Sequence, residues 1–312
     1  MIRSPIFLVA AERSGSTMLR LMLDHHPMIT WCSEFEYAVE HVSDSGFWPD
    51  IGRTHRFLST HRIFCAHGFQ IDPELNYPNL VNSFLLQHQQ RSGLPIAGAT
   101  VHKHFDRLLR IWPKARFIHL IRDGRDVARS SIGMGWMGNV WCAAENWQRA
   151  EQLWQQVVGH IPSTRWMELH YEELIRNPQS QLDRICHFLE VGFDPAMLSY
   201  SQDSSYDLPD PKLIGQWRHK LSDGEIRLLE ARIGQLLEQR GYALSGLPPM
   251  RVGAVGRWWL RLHSRVLRAR FRIGRYGLGL YLADFLSRRL GVGPWRRRVQ
   301  LSLNQIDKAH LK

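Results

Sequence analysis

Five short apolar runs, each closing on a polar loop and a helical stretch, constrain this chain more than any other feature. Ile6–Ala10, Met28–Trp31, Ile96–Val101, Arg116–Ile121 and Arg165–Leu169 read as buried strands. Helical patterns follow over about Gly15–His25, Trp141–Gly159, Gln179–Leu189 and Asp223–Gly241. Strands alternating with helices predict an α/β fold, a central parallel sheet covered on both faces by helices. Ligands of such sheets bind beyond the carboxyl ends of the strands, which directs attention to the loops after Ala10, Trp31, Val101, Ile121 and Leu169. Residues 44–95, rich in His, Phe, Pro and Asn, carry the weakest pattern and are expected to form helices and loops around a site entrance.

Two of those loops are built to hold anions. Arg13-Ser14-Gly15-Ser16-Thr17 joins the first strand to a helix. A helix start leaves backbone N–H groups unpaired and carries partial positive charge. Gly15 permits the tight turn, Ser16 and Thr17 offer hydroxyls, and Arg13 adds a guanidinium, a set suited to phosphate or sulfate. The pattern GxxxxGK[ST] is absent, which disfavours an ordinary ATP site. Arg122, at the end of the fourth strand, and Ser130, two helical turns further on, form a second candidate anion site. Asp126 and Arg129 between them are expected to be solvated helix-start charges.

With both loops in view, the chain resembles the sulfotransferases that use 3′-phosphoadenosine 5′-phosphosulfate (PAPS), over roughly Ile6–Val191. Arg13 to Thr17 resembles the family's 5′-phosphosulfate loop in its arginine form, and Phe117 to Ser130 resembles the 3′-phosphate motif. Arg165 to Leu174, with Asn177-Pro178 and Phe188-Leu189, resembles the downstream block, whose tyrosine, here Tyr171, lies near the adenine in related enzymes. The resemblance is closer to the tyrosylprotein and heparan types than to the cytosolic small-molecule enzymes. It implies a three-layer P-loop-like fold, PAPS as co-substrate, no required metal, and an acceptor hydroxyl or amine. It also implies a general base, for which two residues remain open. Glu34 aligns with the catalytic glutamate of the tyrosylprotein type and is preferred. His104, in His102-Lys103-His104, resembles the histidine of the cytosolic Lys-Thr-His, and Lys103 is a candidate second cation on the sulfuryl group. In the late loop that relatives close over the nucleotide, Gln216 stands where tyrosylprotein-type enzymes carry lysine, and Arg218 is the nearest substitute. Other readings kept open are a noncatalytic nucleotide-binding or membrane-associated protein of this fold and, more weakly, a P-loop nucleotide kinase.

Charge separates the chain into two parts. Residues 1–250 hold 25 basic and 27 acidic residues, whereas residues 251–312 hold 15 and 2, so the formal net charge of +11 belongs to the tail. The body, 1–250, is therefore not a basic nucleic-acid platform, and no nucleic-acid partner is expected. In the tail, Arg257, Arg261, Arg265, Arg268, Arg272 and Arg275 fall on one helical stripe, with Trp259, Leu262, Val266 and Ile273 roughly opposite. Such a basic amphipathic helix suits an anionic membrane surface, a seat on the body or a partner subunit, or a polyanionic acceptor such as a glycan. Four scattered cysteines with no metal spacing, and an opening apolar run that enters Glu12-Arg13 at once, read as a cytoplasmic-type protein, peripheral at most. Oligomeric state and acceptor identity are not legible in the sequence.

Overall fold

The structure is a computed structural model that describes residues 1–204, 208–291 and 293–310. Its centre is a five-stranded, wholly parallel sheet: β1 (Ile6–Val9), β2 (Ile29–Glu34), β3 (Ile96–Val101), β4 (Arg116–Ile121) and β5 (Trp166–His170), in the order β2-β3-β1-β4-β5. The helices are α1 (Ser16–Asp24), α2 (Ile51–Leu58), α3 (Arg62–His67), α4 (Tyr77–Ser92), α5 (Leu108–Ile111), α6 (Gly124–Gly133) and α7 (Val140–Val158). They continue with α8 (Tyr171–Arg176), α9 (Pro178–Leu189), α10 (Trp217–Lys220), α11 (Asp223–Gln239), α12 (Ala254–Tyr276), α13 (Leu278–Leu290) and α14 (Gly293–His310).

Side chains of a strand alternate between faces, and here both faces are apolar. Phe7, Val9, Ala99 and Phe117 pack under α4, α5 and α7, while Ile6, Leu8, Ile118 and Leu169 pack under α1, α8 and α9. A third cluster joins α6, α7 and α11 through Val127, Trp147, Leu229 and Leu237. The three-layer α/β fold expected from the alternation is the one observed.

Three local expectations change. The second strand runs from Ile29 to Glu34, so Glu34 is its last residue and does not follow it. Its pairing with β3 shifts between Cys32 and Glu34, which turns the strand end at that carboxylate. The 44–95 region is not all rim: Leu80, Val81, Phe84 and Leu85 of α4 lie in the core. Asp126 is not solvated but 1% exposed, and its carboxylate accepts the backbone N–H groups of Gly215 and Trp217 at 2.9 and 2.8 Å. Asp123 and Arg125 beside it are also buried, paired with each other and, through Arg125, with Glu230.

No helix of the described residues is long and apolar enough to cross a membrane. Of the tail helices, α12 packs against α7, α14 reaches the body at Thr60, and α13 packs against α12 and α14.

Candidate active site

The strand order sets the site out in a line. Along the carboxyl edge, from β2 to β5, stand Glu34, then His102 and Lys103, then the Arg13–Thr17 loop, then Arg122, then Tyr171. Four steps between strands make that edge roughly 19 Å long.

The central loop turns tightly at two left-handed residues, Arg13 (φ 76°) and Gly15 (φ 94°). For Arg13 this conformation costs about 1–2 kcal/mol. Its guanidinium turns toward the β4 side: Nε donates to Ser130 Oγ at 3.0 Å, and the group lies 5.7 Å from the Trp136 ring centre. Arg13 thus links the two candidate anion loops. Gly15 is obligatory, because a Cβ there would stand 2.4 Å from the Tyr171 ring. Arg122 lies 4.2 Å over the other partner of that arrangement, the Tyr171 ring centre, and its Nη1 and Nη2 donate to the carbonyls of Arg13 and Leu213.

Several polar groups in this cradle are left open. Ser14 Oγ and Arg122 Nε are buried and have no hydrogen-bond partner among the described residues. The first turn of α1 directs its N–H groups at the same loop, and no side chain caps them. Buried polar atoms are normally satisfied, so these donors fit an anion with several acceptor oxygens.

On the β2–β3 side lies a hydrogen-bond chain that sequence reading missed. Ser16 Oγ is 2.8 Å from His102 Nε2, and His102 Nδ1 is 2.7 Å from Glu36 Oε1, which also accepts the His102 backbone N–H at 2.8 Å. Burial alone would lower the His102 pKa, but the Glu36 hydrogen bond and charge, with Glu12 and Glu34 behind, raise it. Burial would raise that of Glu36, and its bonds to His102 outweigh this and lower it. When both ring nitrogens carry protons, His102 donates to Glu36 and to Ser16 Oγ. Lys103, 56% exposed, is held 2.8 Å from Glu12 Oε1.

Glu34 is half-buried at the end of β2, and burial followed by repulsion from Glu36 pushes its carboxyl above the ordinary range. That is the direction a general base needs to approach neutral pH. His104 is exposed at φ 54°, ahead of the turn 105–107, and its imidazole is lowered by partial burial and by Arg107. Arg218 is exposed and stacks 4.4 Å over Trp217, outside the cradle's hydrogen bonds. Thr17 is half-buried in the first turn of α1. The structure thus groups Arg13, Ser14, Gly15, Ser16, Ser130, Arg122 and Tyr171, and adds Glu36, His102 and Trp136 to those named from sequence.

A parallel α/β sheet with an anion cradle after β1 and a second arginine after β4 is an arrangement suited to binding a nucleotide or a sulfate group. The chain belongs to the sulfotransferase family, whose profile matches residues 5–195. It is similar to Protein-tyrosine sulfotransferase 1 of Danio rerio, 25% identical over 210 residues that cover 63% of this chain and 56% of the relative. It is also similar to Protein-tyrosine sulfotransferase of Drosophila melanogaster, 23% identical over 209 residues, 63% of this chain and 40% of the relative. The chain spans about half the length of these relatives. Among solved structures it shares its fold with the sulfotransferase domain from the curacin biosynthetic pathway, at TM-score 0.58 and 18% identity, covering 78% of this chain and 99% of that one.

Proposed function

We propose that the chain is a PAPS-dependent sulfotransferase acting on an acceptor hydroxyl or amine. The observation that carries this reading is the order of groups along the sheet edge: carboxylate, histidine paired with Glu36, anion cradle, arginine, aromatic ring. PAPS supplies an activated sulfuryl group on its 5′-phosphate. Tyr171 and Arg122, with Ser130, would hold the nucleotide end, and the 13–17 loop the phosphosulfate. Glu34 takes the acceptor's proton as the acceptor atom bonds to sulfur, while Arg13, the loop N–H groups and the Ser16–His102 pair receive the charge left on the 5′-phosphate oxygen. Nothing in that scheme asks for a metal. Relatives named for protein tyrosine make a tyrosine-containing peptide the first acceptor to assay.

Binding and turnover are tested separately. Thermal stabilisation by 3′,5′-diphosphoadenosine should exceed that by ATP, since a ligand selective for the folded state raises its melting temperature. Transfer from radiolabelled PAPS should disappear in Glu34→Gln while nucleotide stabilisation stays. A preference for ATP would overturn the nucleotide assignment, and near-normal turnover by Glu34→Gln would return the base to His104.

A further inference from the structure

Two helices of the tail, α12 and α13, bury polar residues most deeply and leave much apolar surface outward, whereas α14 buries Val299 and Leu303. A helix on a soluble body turns its apolar stripe inward. In α12 the one fully buried residue is Ser264, and in α13 the buried residues are Asp284 and Ser287. The seat of α12 is close and mixed: Gly138 N–H donates to Ser264 Oγ at 3.1 Å, Asn139 Nδ2 donates to the Leu260 carbonyl at 2.7 Å, a Cβ on Gly138 would fall 2.4 Å from the Ser264 carbonyl oxygen, and Leu267 and Phe271 lie against Gly138 and Gly135. At about 100° per residue, the side away from this seat carries Val255, Trp258, Trp259 and Val266, exposed by 81, 62, 61 and 51%. On α13 the outward side carries Leu282, Phe285 and Leu286, with Leu290 at their edge, exposed by 45 to 65%. Among the described residues, ten of the seventeen exposed large apolar side chains lie beyond residue 250, in a fifth of the chain. Concentration of this kind marks an interaction surface.

Charge identifies the occupant. Both acidic residues of the tail are used internally: Asp284 takes Arg272 and Arg288, each at 2.7 Å, and Asp307 accepts the Tyr276 hydroxyl at 2.8 Å and lies 3.9 Å from Arg275. What remains exposed along α12 is cationic: Arg265 and Arg270 border the apolar side, and Arg257, Arg261 and Arg268 are exposed on the flank nearer the seat. A second copy of the chain would bring a tail of the same sign against it. A nucleic-acid backbone would satisfy the arginines and leave Leu282, Phe285 and Leu286 in water. We propose that α12 and α13 lie in the interface of an anionic lipid bilayer, their Trp, Leu and Phe side chains among the acyl chains and their arginines at the headgroups. This is independent of the sulfuryl-transfer reading.

The test uses the full chain and vesicles of phosphatidylserine with phosphatidylcholine, against phosphatidylcholine alone. The protein should sediment with the anionic vesicles at low salt, less at high salt, and its tryptophan emission should shift to the blue. Trp258→Ser with Trp259→Ser should weaken binding by about tenfold or more, since two large apolar side chains are lost, with the melting temperature unchanged because both are exposed. No sedimentation at low salt would overturn the proposal. So would vesicle binding indifferent to the double substitution, a dimer that the substitution dissolves, or an oligonucleotide that binds with the same tryptophan dependence.

Discussion

Replacing Glu36 by Gln should move the pH dependence of turnover to lower pH on both limbs. The amide keeps an acceptor for the His102 backbone N–H and for Nδ1–H, so the geometry survives while the charge is lost. His102 then loses the partner that raises its pKa, and burial, which lowers it, prevails. Glu34 loses the second cause that raises its own, the repulsion from Glu36. The carboxylate becomes competent at lower pH and the imidazolium is surrendered at lower pH. At alkaline pH the variant holds a neutral His102 against Ser16, exchanging a charge-assisted bond for a neutral one, a difference of about 1.5 kcal/mol or roughly tenfold in kcat. At mildly acidic pH the two enzymes should converge. Stability follows the same pair. His102, raised in the folded state, contributes fully below the ordinary imidazole value of 6.5 and loses its contribution as pH rises through its folded value. Glu36, depressed, contributes fully above 4.5 and loses it as pH falls through its folded value. The destabilisation of Glu36→Gln should therefore be greatest between those values, about 2 kcal/mol and roughly 5 °C in Tm. The assay is kcat from about pH 5 to 9, with thermal melts at each pH. Superimposable profiles, or a shift of the variant toward alkali, would refute the reasoning.

Gly15→Ala should abolish stabilisation by 3′,5′-diphosphoadenosine and cost about 3 kcal/mol, because the new methyl meets the Tyr171 ring at 2.4 Å in a left-handed turn; thermal shift reads both effects. Asp126→Ala removes the acceptor of two backbone N–H groups, at 2.9 and 2.8 Å, and should cost about 3 kcal/mol. Limited proteolysis should then cut the segment 208–217 faster, and an unchanged digestion pattern would argue against its role as the pin of that segment.

How far the sequence could be read depended on whether the deciding partner was near in the chain. Ile96–Val101 and Arg116–Ile121 are observed at their expected bounds, since a strand buried on both faces is an uninterrupted apolar run. β2 was cut short because its last residues, Ser33 and Glu34, are polar at the edge where the site begins. The Arg13 loop and Arg122 announce themselves through local residue types. His102 and Glu36 do not: each is an ordinary residue until a contact across 66 positions makes a pair of them. Asp126 failed for the same reason, because a charged helix start reads alike whether water or the Gly215–Trp217 backbone covers it. In the tail, periodicity located the arginine stripe and the apolar residues, yet could not tell which side would face the body.

The tail and the site meet in one short connection. Between α6, which carries Ser130, and α7, the chain passes Gly135, against whose Cα the Phe271 ring of α12 packs; Trp136, which lies under Arg13; and Gly138 and Asn139, which seat Ser264 and Leu260. A shift of α12 relative to the body must therefore pass through residues one or two positions from the aromatic ring that supports Arg13. The close glycine contacts leave that seat little freedom to slide, since Gly138 already approaches backbone and not a flexible side chain. The charge division of the sequence, a near-neutral body and a cationic tail, thus becomes a spatial one with a close joint: the candidate site residues line the sheet edge, and the apolar and cationic surface of α12 begins just across the α6–α7 connection. The tail also reaches the β2 side of the body, where Asn304 Nδ2 of α14 donates to the Thr60 carbonyl at 3.2 Å, two positions from Arg62, whose charge acts on Glu34.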